Sequence, residues 1–182
     1  MKGSGSDLET IAPAAFSPVA LEPARRLASL PQLPDPQMVN ELNTRVLRAD
    51  APFPSVETLL HAILPHQYVD HTHADAVLSI SNAPDGEKRV REIYGKRVVV
   101  IPYVMAGFDL AAYCAREFPK QAGKEHDRHG AALARHLLLR RQRASESYER
   151  MIELVSMAEE YLQKKKAWHV AFPANGKASP QP

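Results

Sequence analysis

The chain has 182 residues, 45% of them hydrophobic and 24% charged, with a formal net charge of +2. That size suits one globular domain with a real core, and the small charge gives no electrostatic reason to expect nucleic acid or an anionic membrane as a partner. The single cysteine, Cys114, excludes an intrachain disulfide framework and suits a reducing cytosol. The opening "MKGSGSDLET" has no apolar signal-peptide core and no run is long enough to span a bilayer, so a cytoplasmic protein is expected.

Residues 1–36 read as loop-rich, with "GSGS" and six prolines breaking any regular pattern. Met38, Leu42 and Val46 recur at helical spacing and predict a helix over 37–47. A second helix is expected over Ser55–Leu64, with Ser55 as its N-cap after Pro54. "YVDHTH" predicts a short strand, followed by a helix from Ala74 to Ile80. "PDGEKRVREIYG" reads as turn, helix and glycine stop, "RVVVIPYV" as a buried strand, and "GFDLAAYCAREF" as a helix in which Cys114 is a buried small apolar residue. The clearest helix runs from about Ser145 to Lys165, with Met151, Leu154, Val155, Ala158 and Leu162 on one face. Alternating strands and helices make the fold α/β or α+β. Residues 125–144, "EHDRHGAALARHLLLRRQRA", show neither a helical nor a strand face and carry four arginines between Arg135 and Arg143.

Chemistry concentrates in "PSVETLLHAILPHQYVDHTHADAV". His71 and His73 are two apart on an extended strand and therefore point to one side. They could supply two of the three protein ligands that catalytic zinc commonly uses. A pair of surface histidines that binds nothing is equally open on spacing alone. His61 and His66 read as helix-end histidines, packed or solvated. Glu57, one helix earlier, is either a solvated or capping carboxylate, or a base acting beside a Lewis-acidic metal on a proton next to a carbonyl. "KGSGSD" could form a backbone nest for a phosphate or be a flexible linker.

The ordered set "KGSGSDL", "PSVETLLHAILP", "VDHTHADAV", "EIYGKRVVVIPYVMAGFDLA" and "SESYERMIELVSMAEEYL" resembles the class II aldolase/adducin family. More narrowly, it resembles the rhamnulose-phosphate aldolase domain of bifunctional aldolase/short-chain dehydrogenase proteins. The resemblance implies an α/β fold of class II aldolase type, a three-layer α/β/α sandwich with a central antiparallel-rich sheet. The domain is expected over residues 1–170, with a disordered tail at 171–182, and a symmetric homo-oligomer is implied. The implied reaction is reversible cleavage of L-rhamnulose 1-phosphate to dihydroxyacetone phosphate and L-lactaldehyde. Glu57 matches the catalytic acid/base, His71 and His73 match two of three histidine ligands to a divalent metal, typically zinc, and Ser4 and Ser6 fall in the segment associated with the substrate phosphate.

The chain departs from the family pattern in three places. The family has a phosphate loop before "KGSGSDL", so the expected sandwich is incomplete at the N-terminus. No GxGxxG loop occurs, which gives no support for an NAD-dependent activity. The family's third histidine, in a stretch like "HGIFSFGDSA", falls where this chain has its arginine-rich segment. One permitted codon choice for "ARHLLLRRQR", read one nucleotide later, gives "HGIFSFGDS", which points to two compensating frame slips near Glu125 and Ala144. On that reading neither His129 nor His136 replaces the missing ligand. The alternative function is a catalytically inactive remnant, or an adducin-like interaction module without a complete metal site. Nucleic-acid binding through Arg135–Arg143 is disfavoured by the small charge and the lack of interleaved aromatics.

Overall fold

The structure is a computed structural model and describes residues 1–7, 9–122, 131–133, 137–141 and 143–168. Helices α1 (Leu21–Ala28), α2 (Asp35–Asn43) and α3 (Thr58–Ile63) precede strand β1 (Tyr68–Thr72). Then come α4 (Asp75–Ser81), α5 (Gly86–Tyr94), β2 (Val98–Val100) and α6 (Phe108–Ala122). Strands β3 (Ala131–Leu133) and β4 (Leu137–Arg141) and the long helix α7 (Ala144–Lys164) follow, and two single turns of 3-10 helix lie at Pro13–Ala15 and Gly95–Arg97. The sheet has the order β1-β4-β3-β2, antiparallel at β1–β4 and β4–β3 and parallel at β3–β2. The expected antiparallel-rich sheet is therefore present.

β2 shows how the layers arise. Successive strand residues face opposite sides, and Val98 and Val100 pack with Ala76, Ile80, Val90, Leu154 and Ala158 from α4, α5 and α7. Val99 and the following Ile101 pack with Ala24, Met38, Leu59, Leu110 and Cys114 from α1, α2, α3 and α6. Two apolar cores thus lie on the two faces of one sheet, which is the helix–sheet–helix arrangement of an α/β sandwich.

Several local expectations need correction. Residues 1–36 are not all loop, because α1 occupies Leu21–Ala28. Pro23 falls in its first turn, where the backbone N–H has no intrahelical partner to lose. The predicted 37–47 helix starts earlier and ends at Asn43, after which Val46 leaves to form an antiparallel bridge with Val19. Ser55 does not cap α3. It forms the preceding turn, where its carbonyl accepts from the Thr58 hydroxyl at 2.6 Å and Glu57 takes the N-cap position. The segment that lacked a visible strand face supplies β3 and β4, and β4 pairs with β1 from Tyr68↔Arg141 to Thr72↔Leu137. Gly95 stops α5 at φ +55° as expected, α7 follows its predicted span, and Cys114 is buried.

Candidate metal centre

The site forms where α3 meets β1. α3 is fixed by Thr58, Leu59, Leu60 and Ala62, all buried, and by the Arg25 guanidinium, whose Nε donates to the Ala62 carbonyl at 3.0 Å near the helix end. Glu57 therefore enters the site from a rigid helix start, with its side chain 18% exposed. β1 presents His71 and, just past its end, His73 on one side, and their rings stack with centroids 4.9 Å apart. The period-two reading of "HTH" is correct.

Glu57 Oε2 lies 3.4 Å from His71 Nδ1, and Glu57 Oε1 lies 3.7 Å from His73 Nε2. One donor atom from each of Glu57, His71 and His73 falls within 4.8 Å of the other two. Two imidazole nitrogens and a carboxylate oxygen are a donor set suited to a first-row divalent ion. His71 is nearly buried at 8% side-chain exposure, whereas His73 is open at 49%, so the cluster has one wall in the protein and one side toward solvent.

His61 belongs to this site, although its residue type alone read as a helix-end histidine. Its Nε2 lies 3.3 Å from His71 Nδ1, and the two ring centroids are 5.4 Å apart. Burial pushes its pKa down to about 4, against the opposing attraction of Glu57. The sequence carries a signal for this, since Glu57 and His61 are one helical turn apart and so share a face; in the structure the backbone N–H of His61 donates to the Glu57 carbonyl at 3.1 Å.

The "KGSGSD" segment runs beside the chain that leads into Glu57. Gly3 forms an antiparallel bridge with Pro54, and Ser4 N–H donates to the Phe53 carbonyl at 2.9 Å. Gly5 turns the backbone at φ +80°, leaving Ser4 exposed and Ser6 half-buried. The backbone of this segment thus pairs with Phe53 and Pro54, and the clustered donor side chains are those of Glu57, His71 and His73. His129 and His136 lie outside the described residues, as does the expected tail at 171–182. Among the described residues, no helix is long and apolar enough to cross a membrane.

The family model "Class II Aldolase and Adducin N-terminal domain" matches residues 1–162. The chain is 38% identical over 173 residues to a Bacillus subtilis (strain 168) protein described as "Uncharacterized oxidoreductase YuxG", covering 94% of this chain and 24% of that protein. It thus spans about a quarter of that relative's length. It is also similar to the structure of the N-terminal class II aldolase domain of a conserved protein from Thermoplasma acidophilum, with 37% identity and a TM-score of 0.77 over 88% of this chain and 73% of that one. The fold, the ordered motifs and the length of the match agree: this chain belongs to the class II aldolase and adducin N-terminal domain family.

Proposed function

We propose that the chain is a metal-dependent aldolase domain that reversibly cleaves a ketose 1-phosphate, with L-rhamnulose 1-phosphate as substrate and dihydroxyacetone phosphate and L-lactaldehyde as products. The observation that carries this reading is the convergence of the Glu57 carboxylate with His71 and His73. His71 and His73 would hold a divalent ion, zinc by the preference of imidazole, and that ion would supply Lewis acidity toward the substrate's carbonyl oxygen.

Glu57 carries the proton. In the direction of carbon–carbon bond formation its carboxylate takes a proton from the carbon next to the carbonyl of dihydroxyacetone phosphate. In cleavage the hydroxyl gives its proton to the Glu57 carboxylate as its carbon becomes the aldehyde, the electron pair of the breaking bond stays with the carbon next to the carbonyl, and the Glu57 carboxyl then delivers that proton to the carbon. Ser4 and Ser6 are proposed to meet the phosphate, with backbone N–H groups of their glycine-rich segment. A cytoplasmic homo-oligomer, with the domain spanning 1–170, completes the reading.

The decisive experiment incubates the purified chain with zinc and L-rhamnulose 1-phosphate and follows release of dihydroxyacetone phosphate. Turnover that is lost in Glu57→Gln is the expected result, and zinc-loaded protein without turnover refutes the proposal. That second outcome favours the inactive-remnant reading, for which one observation speaks: among the described residues the mutually close donor atoms are those of Glu57, His71 and His73, and the third imidazole at the site, His61, is outside that set. An independent nucleotide read of codons 123–145 decides whether a histidine-glycine motif lies in the neighbouring frame.

A further inference from the structure

We infer that Thr58 is a positioning residue for Glu57: its buried hydroxyl clamps the turn that aims the Glu57 carboxylate at His71 and His73. The inference rests on the proton-carrying role proposed for Glu57 and adds to it the residue that sets its place.

Residues 55–58 close a tight turn. The Ser55 carbonyl accepts twice from Thr58, from its backbone N–H at 3.0 Å and from its hydroxyl at 2.6 Å. Val56 and Glu57 are the two central residues. Glu57 has φ −82° and ψ 0°, the angles of the second central position of a type I turn, and serine is a favoured first residue of such turns. Two further bonds fix the Glu57 backbone. Its N–H donates to Ser55 Oγ at 3.3 Å, and its carbonyl accepts from the His61 N–H at 3.1 Å. The side chain is left out of this arrangement. Glu57 stands at the N-cap of α3, where a short carboxylate would turn back onto the helix amides, yet it makes no capping hydrogen bond. Its two oxygens instead lie 3.4 Å from His71 and 3.7 Å from His73.

The Thr58 hydroxyl sets how closely this turn shuts. Thr58 is 4% exposed, so its side chain is enclosed on the side away from solvent. Hydrogen-bonded oxygens approach to the 2.6 Å seen here, whereas a methyl group against a carbonyl oxygen needs about 3.3 Å or more. A methyl in place of the hydroxyl would therefore push the Ser55 carbonyl away by about 0.7 Å and open the turn at Glu57. A displacement approaching 1 Å at a proton-transferring group can cost up to about 100-fold in rate.

The test uses the full chain, first without metal and then loaded with zinc. Without metal, the imidazole C–H signals of His71 and His73 at one fixed pH report the carboxylate beside them. Glu57→Gln is expected to move both signals, and Thr58→Val is expected to move the same two. Thr58→Ser keeps the hydroxyl and should leave them near their wild-type positions. With zinc and L-rhamnulose 1-phosphate, Thr58→Val is expected to lower kcat by about 10–100-fold with little change in KM, and Thr58→Ser to restore most of it. A role in packing alone would not follow the hydroxyl in this way. Unmoved His71 and His73 signals in folded Thr58→Val overturn the inference, as does wild-type kcat in that variant. If Thr58→Val does not fold, Thr58→Ser still decides, because signals moved as far as in Glu57→Gln overturn the inference as well. Absence of turnover in the wild type would refute the role of Glu57 in cleavage, while the metal-free signals would still decide whether Thr58 places its carboxylate.

Discussion

Glu57 Oε2 and His71 Nδ1 stand 3.4 Å apart, which joins the start of α3 to β1 across fourteen residues of sequence. That contact is the enclosed half of the site. The open half is His73, and because 49% of its side chain faces solvent, it can be removed without leaving a cavity. His73→Ala is therefore expected to weaken zinc binding by more than the roughly 10–100-fold that loss of a supporting partner costs. Its unfolding free energy without metal should stay within about 0.5 kcal/mol of wild type. Chelator competition and urea denaturation measure the two quantities, and undiminished zinc affinity would remove His73 from the site.

The parts of this architecture that were legible in the sequence are those set by local period. The two-residue repeat of a strand puts His71 and His73 on one side, and the spacing of Met151, Leu154, Val155, Ala158 and Leu162 marks α7. Features decided by a position within an element, or by a distant partner, were not. Pro23 reads as a breaker in the sequence, because its place in the first turn of α1 is visible only once the helix start is known. β4 acquires strand structure by pairing with β1, a relationship that its own run of leucines and arginines does not encode. His61 is a different case: its i,i+4 spacing from Glu57 is local, but its contact with His71 is made only when β1 folds against α3.

Cys114 makes stability sensitive to alkali. It is 1% exposed, and burial pushes its thiol pKa up to about 12. An unfolded-chain thiol ionises near about 8.5. Between those values the unfolded state has lost a proton that the native state still binds, so stability falls as pH rises. It is fully present below about pH 8.5 and declines by about 1.4 kcal/mol per pH unit from this group above it. Urea melts at about pH 8, 9 and 10 should show that decline, and Cys114→Ala should flatten it. The same burial predicts that the native thiol resists iodoacetamide and reacts only on unfolding. Alkylation at the rate of a free thiol under native conditions would contradict this account.

Gly107 has a conformational and a steric reason to be glycine. Its φ is +139°, a region that L side chains rarely adopt, and a Cβ there would lie 2.7 Å from Asp35 Oδ1. That same oxygen accepts the Phe108 N–H at 3.2 Å, satisfying a free donor at the start of α6. Gly107→Ala is expected to strain the backbone and displace the cap together, at a cost of about 1–3 kcal/mol. The two effects share a partner. Asp35→Ala and Gly107→Ala combined should therefore destabilise by less than the sum of the single changes. Strict additivity in urea denaturation would show that the carboxylate and the glycine act independently.

α7 is anchored to α5 by a buried hydrogen bond, in which the Tyr94 hydroxyl donates to the Leu154 carbonyl at 2.9 Å. The side chain of the same Leu154 is 0% exposed and packs with Val90 and Val98. Two substitutions separate the polar from the apolar part of this junction. Tyr94→Phe keeps the ring and removes only the donor, with an expected cost of about 0.5–1.5 kcal/mol. Leu154→Ala leaves the backbone bond in place and opens a cavity in the second core, with an expected cost of about 2–5 kcal/mol. Equilibrium urea unfolding ranks them, and Leu154→Ala should be the more damaging. Equal losses would mean that the core around Leu154 collapses to fill the space, and that the Tyr94 hydrogen bond matters as much as the packing in holding α7 against the sheet.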